Sequence, residues 1–200
     1  MIIPTPEEIR ALHLRHAPSQ QAFDRVYSHC EIVWRVARQL LDGLGSGVTI
    51  DRDLVRAGCL LHDIGVYRLF DGDGGFDGKN YIRHGVLGHG ILRDEGFPEA
   101  LCRFCSCHTG VGLTADDIVR QGLPLPVADY SAVSEEERLV MYADKFHSKS
   151  TPPRFHTADT YAAYVGRFGA GKTDAFTALR KDFGEPDVLS LAETYGQTAD

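Results

Sequence analysis

The chain has 200 residues, 43% hydrophobic and 24% charged, with a formal net charge of -7 and a pI near 5.7. That is the balance of a globular protein long enough to bury a core without cross-links. The acidic charge excludes a general nucleic-acid-binding or anionic-membrane-binding face, but not a small phosphorylated substrate, since a bound cation can reverse the local field. Met1 to Glu8 show no basic segment followed by an apolar core, and no apolar run approaches the ~20 residues of a membrane span. Five cysteines fit no disulfide framework, so a reduced, cytoplasmic setting is expected.

In chain order the apolar periodicity is helical nearly throughout, and no alternating strand pattern stands out. Ser19 to Leu41 repeats at Val26, His29, Val33, Val36 and Leu40, one helical face, with Pro18-Ser19 as the start and Gly43 as the end. Asp51 can cap a second helix through Leu54, Gly58 and Leu61, with His62-Asp63-Ile64-Gly65 at its end and Gly65 as the stop. Residues 71–78, rich in Gly and Asp, fit no calcium-loop register and read as a flexible loop, with a lid over a site as the functional expectation. A third helix is expected over about 80–95, with His84, Gly88 and Leu92 on one face and Gly96 and Pro98 behind it. A fourth is expected from Pro98 to Thr109-Gly110, lined by Leu101, Cys105 and His108. Gly122 to Val133 reads as an extended connector. Ser134-Glu135-Glu136-Glu137 reads as a capping box opening a fifth helix, with Val140, Asp144 and Ser148 on one side. The tail carries Tyr161, Val165 and Phe168, then Phe176, Leu179 and Phe183, which predicts two or three short helices packed on the bundle. The expected fold is all-α, one domain over 1–200, with a core at about 20–150 and a helical C-terminal extension at about 155–200.

His29, His62, Asp63, His84, His108 and Asp144 fall where Leu or Val would be expected. A buried imidazole or carboxylate is costly unless satisfied, and several converging from distant segments point to one inorganic partner. Nitrogen and carboxylate ligands suit manganese, iron, cobalt, nickel or zinc. Six are too many for one catalytic ion that keeps a position open, whereas two ions sharing a carboxylate would use them all. His89, five residues from His84, lies about 140° round the helix and is read as a surface or supporting residue. His147 is close enough to Asp144 in sequence to support it; His13, His16 and His156 have no comparable context. Cys102, Cys105 and Cys107 lack partner cysteines and read as buried thiols. Gly166 to Thr173 spells a phosphate-binding loop, but a helix precedes it, so it reads as a joint between tail helices with Thr173 as a cap.

His29, then His62-Asp63-Ile64-Gly65, then Asp144 within Tyr142-Ala143-Asp144-Lys145 resembles the HD-domain metal-dependent phosphohydrolase superfamily. His84-Gly85-Val86-Leu87-Gly88-His89-Gly90-Ile91-Leu92 and His108-Thr109-Gly110-Val111-Gly112-Leu113-Thr114 resemble its HDIG-type, two-metal branch. The resemblance covers about residues 25–150 and implies an HD-domain helical bundle. It implies that His29, His62, Asp63 and Asp144 hold one divalent ion, and that Asp63 bridges to a second on His84 and His108. A hydroxide between the ions would attack phosphorus in line. The implied substrate is a small phosphate monoester or phosphodiester such as a nucleotide, with no extended nucleic acid and no membrane as partner. Some branches place Lys or Arg after the tetrad; here Val66 stands there, so the phosphate anchors are sought in Lys145, Lys149, Arg83 and Thr109. Lys145 and Lys149, four apart, are expected on one helix flank. The Gly-Tyr-Pro signature of relatives specific for cyclic-di-GMP is absent. Two other classes stay open: a metal- and nucleotide-binding regulatory module without catalysis, and a di-iron oxygenase on the same fold.

Overall fold

A computed structural model describes every residue except 46, 48 and 72–74, and all described side chains but that of residue 170. Thr5 starts α1 (Pro6–His16) with a reciprocal cap: its side chain accepts from the Glu8 N–H, and Glu8 accepts from the Thr5 N–H. Ser19 caps α2 (Gln20–Gly43), and Val26, His29, Val33, Val36 and Leu40 are all buried along it. Asp51 accepts from the Asp53 and Leu54 N–H groups to open α3 (Arg52–Leu61). A 3₁₀ segment, Ile64–Leu69, follows; another, Gly78–Arg83, leads into α4 (His84–Asp94), and then comes α5 (Glu99–Ser106). These are succeeded by α6 (Ala115–Gln121), α7 (Glu135–Ala143), β1 (His147–Ser148), β2 (Arg154–Phe155), α8 (Ala158–Val165), α9 (Ala170–Phe183), α10 (Val188–Tyr195) and β3 (Thr198–Ala199). The fold is all-α apart from a three-stranded ribbon in the order β1-β2-β3, antiparallel and then parallel.

The centre of the molecule is α2 packed against α3 and α7, with α4 held between α5 and the 3₁₀ segment 64–69. Small residues set that last approach. A Cβ on Gly65 would run into the His84 carbonyl and the Gly88 amide, and one on Gly85 would lie 2.7 Å from the Cys105 carbonyl. Gly65 therefore does not act as a helix stop. The second helix has already ended at Leu61, with His62 as its C-cap, and Gly65 lets α4 close on the chain two residues past Asp63.

Other boundaries also depart from the periodicity. The fourth helix ends at Ser106, not at 109–110, so His108 stands beyond it. The fifth ends at Ala143: Asp144 opens a 3₁₀ turn, Ser148 lies in β1, and the expected Val140–Asp144–Ser148 face does not form. For the same reason Lys145 and Lys149 share no helix flank. Ser134 does cap α7, but Glu137 does not reach back to it; its carboxylate accepts from the Val133 N–H and pairs with Arg103 at 2.7 Å. The short helix α6 escapes the periodicity, although Thr114 and Asp117 form its reciprocal cap. Three tail helices form as expected, but Phe168 is exposed, and Thr173 is no cap: α9 already starts at Ala170 behind Gly169, which leaves Thr173 inside the helix. Lys172, in the stretch that spells a phosphate loop, donates to the Gly112 carbonyl at 2.7 Å and pairs with Asp117, and the preceding element is helical. The lid expected over 71–78 falls in part on residues 72–74, outside the described residues. Among the described residues no helix is long and apolar enough to cross a membrane.

Candidate metal centre

Five elements deliver the polar residues to one place. His29 comes from the middle of α2, His62 and Asp63 from the end of α3, His84 from the first residue of α4, His108 from just past α5, and Asp144 from just past α7. His29 Nε2 lies 3.0 Å from Asp144 Oδ1 and 3.2 Å from Asp63 Oδ2. His62 Nε2 is 3.4 Å from each of those oxygens and 3.3 Å from His29 Nε2. These four side chains surround one point. On the other side of Asp63, His84 Nε2 and His108 Nε2 face each other at 2.9 Å, and they stand 3.4 and 3.7 Å from Asp63 Oδ1. Asp63 thus offers one oxygen to each donor set.

The outer nitrogens show which lone pairs are free. His62 Nδ1 is 2.7 Å from the Cys59 carbonyl, His84 Nδ1 2.6 Å from the Tyr81 carbonyl, and His108 Nδ1 3.0 Å from the Phe104 carbonyl. A carbonyl only accepts, so each Nδ1 carries a hydrogen and each Nε2 turns inward, as a bare lone pair wherever the ring is neutral. Asp63 Oδ1 is fully buried and has no hydrogen-bond donor. Two imidazole lone pairs and a carboxylate oxygen pointing at one another, with no proton among them, are satisfied by a cation. The donor sets therefore fit divalent metal ions, and the fit rests on this chain's own geometry.

The electrostatics agree. Burial alone would raise the Asp63 carboxyl, but the Lys149 ammonium, in direct contact with it, and then His62 hold it well below the carboxylate range. Asp144 is likewise pushed up by burial and held well down, by Lys145 first. Burial opposes charge on His62, yet Asp63 and other acceptors around it raise it well above the usual imidazole value, so without a cation its Nε2 holds a proton towards the two carboxylates, in the place a metal ion would take. Burial pushes His84 down, and burial followed by the neighbouring imidazoles pushes His108 well down, so both stay neutral near pH 7.

The centre opens into a cavity of about 970 Å³. Of the four expected phosphate anchors, Lys145, Lys149 and Thr109 line it, whereas Arg83 is exposed and does not. Lys145 is buried and donates to the His108 carbonyl at 2.8 Å and to Asp144 at 2.6 Å. Sequence reasoning missed Arg25, Arg154 and Arg167, which also line the cavity. Arg25 was within reach, since it lies four residues before His29 on one helix; nothing local marks the other two. His147 supports the site, but against His29 rather than Asp144, with the two Nδ1 atoms 2.8 Å apart. His89 points elsewhere, to Ser106 at 3.1 Å and Glu99 at 3.3 Å. All five cysteines are buried and free.

Two donor sets that share one carboxylate could hold two divalent ions, and the comparisons define the family. Residues 26–149 match the HD domain family, and the chain belongs to it. It is 34% identical over 143 residues to a tRNA (cytidine(56)-2'-O)-methyltransferase of Picrophilus torridus, covering 72% of this chain and 37% of that protein. It is 37% identical over 122 residues to an uncharacterized protein of Methanocaldococcus jannaschii, covering 60% of this chain and 65% of that one. The chain thus spans well under half of the first relative and somewhat under two thirds of the second. Among solved structures, the HD domain of the L. monocytogenes phosphodiesterase PgpH shares the fold at 17% identity and a TM-score of 0.55, covering 96% of this chain and all of that one. The same domain in complex with cyclic-di-AMP gives a TM-score of 0.54 over 98% of this chain.

Proposed function

We propose that this chain is a two-metal phosphohydrolase that cleaves a phosphate monoester or phosphodiester of nucleotide size, in one domain whose helical extension forms part of the cavity wall. The observation that carries the reading is Asp63, whose two oxygens face two separate sets of imidazole lone pairs. His29, His62, Asp63 and Asp144 would hold one ion, and Asp63, His84 and His108 the other. Iron, manganese, cobalt, nickel and zinc all suit this donor set. Such ions, when bound, bring the pKa of water towards neutrality and offset charge on the transferring phosphoryl group.

The chain's own residues supply binding and orientation. Arg25 donates to the Lys149 carbonyl at 2.8 Å and meets no carboxylate among the described ion pairs, and it lines the cavity with Arg154 and Arg167. Lys149, in contact with Asp63, and Thr109, next to His108 in the chain, line the same cavity. Tyr81, Tyr161 and Tyr164 add aromatic surface to the same walls. Several cations spread over a cavity at the upper end of ligand-site size suit a substrate with both phosphate and an aromatic base, not a lone phosphate. The cyclic-di-AMP bound to the PgpH domain is in keeping with a nucleotide. The reading does not draw on methyl transfer, since the chain spans only 37% of that relative.

The test is turnover by the purified chain loaded in turn with each of the five metals, aerobically and anaerobically. The substrates are p-nitrophenyl phosphate, its bis-ester and a panel of nucleotides and cyclic dinucleotides. Metal-dependent hydrolysis abolished by EDTA is expected. Absence of product with every metal refutes the reading, and tight nucleotide binding without product would establish a regulatory module in its place.

A further inference from the structure

Three of the four inward histidines take their orientation from the main chain, and their places explain why. His62 and His108 follow the last turns of α3 and α5, where carbonyls such as those of Cys59 and Phe104 lack helical partners, and His84 follows a 3₁₀ segment. His29 lies in the interior of α2, where the carbonyl one turn back belongs to the helix ladder. Its Nδ1 meets instead the Nδ1 of His147 at 2.8 Å. Between two imidazole nitrogens either can donate. The direction is settled one step further out, where His147 Nε2 lies 2.9 Å from Gln197 Oε1.

An amide oxygen only accepts. His147 therefore carries its hydrogen on Nε2, its Nδ1 lone pair accepts from the His29 Nδ1–H, and the His29 Nε2 lone pair turns to the centre. If Gln197 presented its NH₂ group instead, every bond in the chain would reverse and His29 Nε2 would bear a hydrogen where a ligand is needed. The small ribbon holds the parts in register: His147 on β1 pairs with Phe155 on β2, and Phe155 pairs with Ala199 on β3, two residues past Gln197. The Gln197 N–H is tied to the Ala192 carbonyl at 2.9 Å. The His147 ring is buried, stacked on His29 at 5.1 Å between centroids and edge-on to Phe155 at 4.9 Å.

We infer that His147 and Gln197 are positioning residues that fix the tautomer of His29, so that the C-terminal segment, outside the matched region 26–149, sets up the first metal site. This rests on the proposed metal centre. Outer partners of this kind are worth about 10–100-fold in metal affinity.

The test uses the full chain loaded with Zn²⁺. Long-range ¹H–¹⁵N correlation should show His147 protonated at Nε2 and bare at Nδ1, and His29 ligating through Nε2. In chelator competition, Gln197→Leu should weaken the ion on His29, His62, Asp63 and Asp144 by about 10–100-fold, while Gln197→Glu, which keeps an acceptor, stays within about threefold of wild type. Melting in EDTA checks that each variant folds. The reversed His147 tautomer overturns the inference, as does a folded Gln197→Leu with wild-type affinity, or a Gln197→Glu as weak as Gln197→Leu. If Gln197→Leu does not fold, the wild-type tautomer decides alone. Wild-type protein that binds no Zn²⁺ overturns the metal centre as well, whereas binding that ignores Gln197 overturns only this inference.

Discussion

The glycine of the tetrad offers a test that joins fold to site. A methyl group at Gly65 would enter the space of the His84 carbonyl and the Gly88 amide, both main-chain groups that cannot rotate away. Relief requires α4 to move off the 3₁₀ segment, and because α4 begins at His84, the movement draws His84 Nε2 from its place 3.4 Å from Asp63 Oδ1. Overpacking typically costs 1–3 kcal/mol, and with only backbone to yield, Gly65→Ala should cost about 3 kcal/mol. At roughly 2–4 °C per kcal/mol for a chain of this size, the melting temperature should fall by about 6–12 °C. Calorimetry should show that fall, and metal analysis should show the ion on His84 and His108 depleted before the other. Gly90, in the same helix, is the control: a Cβ there meets nothing within 4 Å. Gly90→Ala should be neutral or stabilising by up to about 1 kcal/mol. A Gly65→Ala protein that melts with wild type, or a Gly90→Ala protein that loses as much, would refute the close-approach argument.

Asp63→Asn should lose both ions, because one carboxylate serves both sets; two ions, each at 100 times its Kd, add about 5.4 kcal/mol, so the metal-induced rise in melting temperature, about 11–22 °C in wild type, should vanish. Retention of full metal content by Asp63→Asn would disprove the bridge. His108→Ala should weaken chiefly the second ion, giving one metal per chain by mass spectrometry where wild type gives two. Arg167→Ala, at the exposed rim of the cavity, should raise KM for a nucleotide several-fold and leave kcat within about twofold, since it removes binding away from the reacting bond; an equal fall in kcat would place it elsewhere. His13 is wholly buried, its Nε2 donating to the Leu60 carbonyl and its Nδ1 accepting from the Tyr67 hydroxyl, and burial pushes its pKa down to about 4. Below about pH 6.5 the unfolded chain takes up a proton there that the folded chain refuses, so stability drops as pH falls from about 6.5 towards 4. Between pH 7.5 and pH 5 that is about 2 kcal/mol. Urea unfolding in EDTA should show a pH slope shallower by that amount in His13→Gln, and identical slopes would show that His13 is not the titrating group.

The legible parts of the site are those on regular helix. His29 falls on the 3-4-3-4 face of α2 and is buried there. His62, His108 and Asp144 also converge as expected, but each stands one or two residues past a helix that periodicity carries too far. For the two histidines the reason is physical, since a helix interior has no spare carbonyl to anchor an imidazole Nδ1 and a helix end does. Gly65 reads as punctuation in sequence and proves to be a contact, because its partners on α4, His84 and Gly88, are distant in the chain and only folding brings them close. The short α6 has too few residues for a period to register. Arg154, Arg167 and Gln197 lie outside any local pattern, and their relation to the centre is a property of the packed tail alone.

The same tail bears on how an acidic chain could take the anionic substrate proposed for it. Net charge is a sum over the surface, whereas binding responds to the field inside the cavity. Of the described carboxylates that line it, Asp63 and Asp144 face the centre and belong to the proposed donor sets, leaving Asp200 to screen Arg154 from 3.5 Å. Arg25 and Arg167 keep their charge, and neither side chain meets an acid among the described ion pairs. Once the central carboxylates are matched by divalent ions, the balance at the cavity is positive, with two of its arginines, Arg154 and Arg167, drawn from beyond the family-matched core. Truncating the chain after Ser150 would therefore take away anchors for the substrate together with the Gln197 support for His29. Titration of such a truncation, if it folds, with nucleotide and with Zn²⁺ should show both affinities falling; loss of either one alone would separate the two roles assigned to the tail.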